Sequence, residues 1–75
     1  MSDQKKNVFI TGGSTGIGAA SVRKFAQSGW NVTFMDINVE DGQAVARETG
    51  ALFVEGNTRN REDLEKAVAA AIEKY

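Results

Sequence analysis

The stretch Val8-Phe9-Ile10-Thr11-Gly12-Gly13-Ser14-Thr15-Gly16-Ile17-Gly18 decides how the rest of the chain is read. A β-branched and aromatic run stops at a glycine-dense turn, and an amphipathic run begins at Ile17, so a strand, a tight loop and a helix share these residues. The first N–H groups of such a helix have no intrahelical partner, and the helix dipole adds partial positive charge. The junction therefore suits a phosphate or diphosphate. Gly12 is expected to take a dihedral closed to other residues, Gly16 to let a ligand approach the backbone, and Gly18 to let the helix sit close to the strand.

Glycine spacing separates the phosphate-binding loops from one another. Gly13 and Gly18 have the P-loop separation, but Ala19 and Ala20 stand where that loop needs lysine and a hydroxyl. No three glycines fit G-x-G-x-x-G. The pattern present is T-G-x-x-x-G-x-G, carried by Thr11, Gly12, Gly16 and Gly18. It resembles the nucleotide-binding loop of the short-chain dehydrogenase/reductase family, and the resemblance continues through Asp36 and Gly56-Asn57-Thr58 to the end of the chain.

The remaining elements follow from periodicity. Asn7 to Thr11 reads as a strand with an apolar centre on both faces, as expected of a buried parallel strand. Gly16 to about Ser28 reads as a helix burying Ile17, Ala20, Val22, Phe25 and Ala26, with Gly29 as its stop. Asn31 to Asp36 is a second strand, with Val32 and Phe34 on one face and Thr33 and Met35 on the other. A helix from about Glu40 to Thr49 carries a thin apolar stripe of Val39, Ala44, Val45 and Ala46, and Gly50 ends it. Ala51 to Glu55 forms a third strand, residues 56 to 60 a polar loop, and Arg61 to Tyr75 a helix with Leu64, Val68, Ala71, Ile72 and Tyr75 on one face.

Strands alternating with helices imply an α/β fold with a parallel sheet. The reading is βαβαβα over a single partial domain, residues 1–75 with 1–6 frayed: half of a doubly wound Rossmann fold, with three parallel strands in the order 3-2-1. Seventy-five residues bury only about 60% of their unfolded surface, so the core is expected to be marginal.

Asp36 lies 20 residues beyond Gly16, the distance at which a dinucleotide fold places an acid to accept hydrogen bonds from the adenosine ribose. A 2′-phosphate there would meet a like charge. Asp also favours turns and helix N-caps, so a purely local role is the competing reading. Family members that use the phosphorylated cofactor often carry a basic residue just before the second motif glycine or just after the second strand. Those places hold Thr15, Ile37 and Asn38, so the resemblance implies NAD rather than NADP. It further implies a cofactor site of Gly12, Ser14, Thr15, Gly16, Ile17, Gly18, Asp36, Ile37, Asn57 and Thr58. Related proteins usually have Asp at the position of Asn57 and a small apolar residue at that of Thr58. Asn57 either keeps a contact to the adenine amino group by accepting a hydrogen bond through its side-chain oxygen, or only caps or turns the loop.

Composition narrows the alternatives. Ten acids against nine bases, with no basic run, leave no electrostatic footprint for nucleic acid or an anionic membrane. No apolar run approaches the length of a membrane span, and Met1 to Lys6 lacks the apolar segment of a secretory signal, so a cytoplasmic protein is expected. With neither cysteine nor histidine, disulfides, thiolate metal sites and the commonest general base are excluded. No metal is predicted. In the family a catalytic Ser and a Tyr-x-x-x-Lys pair carry the chemistry. Tyr75 is the only tyrosine and begins no such pair, so no catalytic residue is predicted here. The resemblance thus implies the NAD-binding portion of an oxidoreductase acting on alcohols or carbonyls, inactive alone, with self-association or a second chain supplying the missing half. A non-catalytic nucleotide-binding or interaction module, as a truncated product or fragment, is the alternative.

Overall fold

The computed structural model of the chain describes residues 5–75. Its elements run β1 (Asn7–Thr11), α1 (Gly16–Gln27), β2 (Asn31–Asp36), α2 (Val39–Thr49), β3 (Leu52–Glu55) and α3 (Arg61–Lys74). The three strands form one parallel sheet in the order β1-β2-β3, as the alternation of strands and helices requires. Val8 pairs with Val32, Ile10 with Phe34, and Phe34 with Phe53. Most of the frayed start expected over residues 1–6 lies outside the described residues. Lys6 is tied down: its carbonyl accepts the Asn31 amide at 2.8 Å, and its ammonium lies 5.5 Å from the centre of the Trp30 ring.

Strand alternation divides the core in two. Val32 and Phe34 point to the α1–α2 side, where they pack with Ala19, Val22 and Val45, flanked by Val8, Ile10 and Phe53. Thr33 and Met35 point to the opposite face and are also buried; α3 covers that face over β2 and β3, with Ala67 fully buried. Phe34 is the centre of the first layer. It is 0% exposed, its ring lies 5.3 Å from that of Phe53, and Gly13 rests directly against it. On the outer surface, Arg23 of α1 makes a two-point ion pair with Glu48 of α2 at 2.8 and 3.1 Å. Both partners are exposed, so the pair adds little stability and serves to align the two helices.

Several buried faces differ from those read in the sequence. In α1 Ala19 and Val22 are buried with Phe25 and Ala26 packed beside them as expected, whereas Ala20 is exposed and Ile17 is 87% exposed. Ile17 stands in the first turn, beyond the sheet, with nothing above it to pack on. In α2, Ala44 is exposed and Gly42 is buried, because the Phe53 ring occupies the space a Gly42 Cβ would need. The α3 stripe is displaced: Ala67 faces the sheet, so Val68 and the 73% exposed Ile72 stand on its flank. β1 is half-buried rather than buried, since among the described residues it pairs with β2 alone and α3 does not reach across it. β3 begins at Leu52, because the Ala51 amide is taken by the Thr49 hydroxyl at 3.2 Å.

Phe34→Ala should cost about 3 to 5 kcal/mol, a large share of a small domain's stability. Ile72→Ser, at an exposed position, should change it by less than about 0.5 kcal/mol. Urea unfolding followed by circular dichroism checks both, and equal effects would contradict this placement of the core.

Candidate functional site

The carboxyl ends of all three strands converge on one edge of the sheet, where a parallel α/β fold places its ligands. The loop after β1 forms one wall. Its start is fixed by the Gly12 amide, which donates to the Met35 carbonyl at 2.8 Å and so extends the β1–β2 ladder by one bond. Gly12 then turns with φ +70°, and Gly16 opens α1 with φ +55°, both conformations that side chains disfavour. A Cβ at either position would meet nothing within 4 Å, so both open toward solvent. Gly18 is different: a Cβ there would overlap the Gly12 carbonyl oxygen, so the first turn of α1 lies on the start of the loop. Gly13, which the glycine pattern did not single out, is buried against Phe34 and seats the loop on the core.

The three helix starts are unequal. Asn38 caps α2 by accepting the Asp41 amide, and Asn60 caps α3 by accepting the Asp63 amide, both at 3.2 Å. Each of these helices also carries two acids in its first turn. α1 has neither: Thr15 has the extended backbone of an N-cap but makes no side-chain cap, and the first turn holds no acid. Its positive end is thus left uncompensated beside the two open glycines.

Asp36 forms the second wall. Two-residue alternation puts it on the same face as Val32 and Phe34, which directs it at the glycine loop. Its Oδ2 accepts the Ser14 amide at 3.2 Å, and its Oδ1 accepts the amides of Ile37 at 2.7 Å and Asn38 at 3.2 Å. It is therefore a turn former as well as a neighbour of the loop, while the N-cap role falls to Asn38. Partial burial works to raise the Asp36 carboxyl, but the nearby Ser14 hydroxyl and the amides of Ser14, Asn38 and Ile37 outweigh it and hold the group below its ordinary value.

The third wall is the loop after β3. The Asn57 amide donates to Asp63 Oδ2 and the Asn57 Oδ1 accepts the Arg59 amide, each at 2.9 Å, which leaves the side-chain NH₂ free to face outward. Between the walls lies a cleft of about 300 Å³ lined by Thr11, Gly12, Asp36, Ile37, Gly56, Asn57 and Thr58. Gly12, Asp36, Ile37, Asn57 and Thr58 of the predicted residues thus share one concavity, while Thr15, Gly16 and Ile17 are exposed at its helix end. Ser14 is set behind it, 4% exposed, and its hydroxyl makes no hydrogen bond. Gly56, part of the stretch that carries the resemblance though not expected in the site, is buried between Met35 and Asp63, and Asp63 shapes this wall without any warning in the sequence pattern. Among the described residues, no cluster of His, Cys, Asp or Glu could hold a metal ion, and no helix is long and apolar enough to cross a membrane. A cleft of about 310 Å³ at the other end of the sheet, lined by residues including Trp30, Gly50 and Tyr75, lies where the helices end rather than begin, so no helix N-terminus opens into it.

The sequence and the fold recur in known proteins. A family model described as short chain dehydrogenase matches residues 6–75. The L-fucose dehydrogenase of Mus musculus is 39% identical over 71 residues, covering 93% of this chain and 26% of that protein. Short-chain dehydrogenase reductase 3b of Arabidopsis thaliana is 42% identical over 73 residues, covering 93% and 28%. Among solved structures, 3-ketoacyl-(acyl-carrier-protein) reductase from Brucella melitensis complexed with NADH superposes with a TM-score of 0.90 at 32% identity, over 97% of this chain and 31% of that one. The chain thus spans 26% to 28% of the length of these two curated relatives.

Asp36, depressed in the folded state, stabilises the fold fully above pH values of about 4 and ceases to do so as pH falls below that through its folded value. The urea midpoint of the wild type should therefore fall more steeply on acidification below about pH 4 than that of Asp36→Asn. Parallel pH profiles would remove Asp36 from the account of acid stability.

Proposed function

The chain belongs to the short-chain dehydrogenase family, and from that premise we propose that it is the NAD(H)-binding portion of an oxidoreductase acting on an alcohol or carbonyl group. The observation that carries the reading is a carboxylate at the tip of β2, directed at an uncapped, acid-free helix start across a cleft of suitable size. The residues fit the diphosphate and adenosine part of the cofactor. The open backbone at Gly12 and Gly16 and the first amides of α1 would receive the diphosphate. Asp36 would accept a ribose hydroxyl: a carboxylate offers about four acceptor sites and three are occupied. The exposed Ile37 would cover one side of the adenine, and the free NH₂ of Asn57 and the side chain of Thr58 would border it.

Preference for NAD over NADP rests on charge. A 2′-phosphate at the ribose would sit against Asp36, and the adjoining Thr15, Ile37 and Asn38 offer no cation to offset the repulsion. When bound, the nicotinamide supplies or accepts a hydride. The residues of this chain bind and orient; none is assigned a proton-transfer role. The acid–base groups would come from polypeptide outside these 75 residues, and the outer edge of β1 with the exposed flank of α3 at Val68 and Ile72 offers a surface for it or for a second copy. A cytoplasmic location goes with this reading. A second possibility is a nucleotide-binding module without turnover. That module would use the same cleft, and only restoration of dehydrogenase activity by a complementing chain separates the two.

Titration with NADH and NADPH tests the proposal. Asp36→Ala should weaken NADH binding by about 1 to 3 kcal/mol and NADPH binding by less, and Gly16→Val should weaken both. Equal loss of both cofactors in Asp36→Ala would overturn the NAD assignment.

A further inference from the structure

Asp36 has more to do in this structure than meet a ribose. The loop between β1 and α1 is anchored at its start by the Gly12 amide on the Met35 carbonyl and at its end by the first α1 hydrogen bond, from the Ala19 amide to the Thr15 carbonyl. Between these points the Ser14 amide is directed at Asp36 Oδ2, 22 residues away in sequence. Ser14 is buried, so without that carboxylate its N–H would be a buried donor with no partner. Its hydroxyl is also buried; it lies near the same carboxylate without making a hydrogen bond, and so provides no alternative anchor. The other carboxylate oxygen is taken by Ile37 and Asn38, which fixes the direction of the side chain from its own strand tip.

We infer that Asp36 is a positioning residue for the glycine loop: by holding the Ser14 amide it keeps the loop in the shape that receives a diphosphate, so one carboxylate links the diphosphate and ribose subsites. The inference deepens the dinucleotide reading and rests on it for the identity of the ligand, but the tie between loop and carboxylate stands on the hydrogen bonds alone. It also reverses the sign of an ordinary electrostatic expectation. Removing a negative charge beside an anion site should strengthen anion binding; removing this one weakens it, because the loop loses its shape.

Two measurements on the full chain test this. In the ligand-free protein, amide hydrogen exchange at Ser14 should be slow while Gly16 and Ile17 exchange freely. In Asp36→Ala it should speed up by about tenfold or more, with Val32 and Phe34 still protected as a check on folding. Asp36→Asn, which keeps one acceptor oxygen, should recover part of the protection. With inorganic pyrophosphate, which has no ribose to meet Asp36, the Ala variant should bind about fivefold or more weakly than the wild type. An unprotected Ser14 amide in the wild type, unchanged exchange in both variants, or tighter pyrophosphate binding by Asp36→Ala would overturn the inference. Failure of the wild type to bind pyrophosphate would count against the dinucleotide reading, while the exchange data would still decide whether the carboxylate holds the loop.

Discussion

A backbone amide in the middle of a tight glycine turn has few places to donate its hydrogen bond, and the fold provides one: the carboxylate that ends the neighbouring strand. Parallel pairing makes this possible. With Thr11 opposite Met35, the chain leaving β1 and the chain leaving β2 emerge side by side, and the next residue on β2 is Asp36. The glycine loop, the α1 N-terminus and the acid are therefore brought together by register. A shift of one residue would turn the acid to the opposite face and break the arrangement.

The same geometry explains the uneven burial of a small domain. Strand β2, in the centre, has its four residues Val32 to Met35 buried, whereas β1 has one paired edge and its apolar residues are half-buried. Among the described residues, one face of the sheet is covered by two helices and the other by α3 alone, which lies over β2 and β3. The apolar side chains on the α3 flank and along β1 thus have less to pack on than their composition suggests. In a chain that spans 26% to 28% of the two curated relatives compared with it, that surface is where further polypeptide would add to stability.

Much of this was legible in the sequence because it depends on local chemistry. Glycine punctuation, β-branched runs and a well-spaced acid pointed to the order of elements and to Gly12, Asp36, Ile37, Asn57 and Thr58, which share one cleft. What escaped was set by tertiary contact. Helical periodicity could not tell Ala19 from Ala20 or Ala67 from Val68, since each pair lies near the edge of a stripe and the sheet's position decides between them. Gly42 and Gly13 looked like ordinary glycines, yet each makes room for an aromatic ring from another element. Asp63, which holds the Asn57 amide, sat among the acids of a helix start with nothing to mark it. The division of Asp36 between a turn, a loop and a ligand could not be read from spacing, because it requires knowing which amides are left without partners.

Mapping the amide chemical-shift changes of the full chain on addition of NADH tests the central claim most directly. The account predicts that the largest changes fall on residues 12–18, on Ile37 and on Asn57 and Thr58. Changes confined to the other end of the sheet, around Trp30 and Gly50, or none at saturating cofactor, would contradict it.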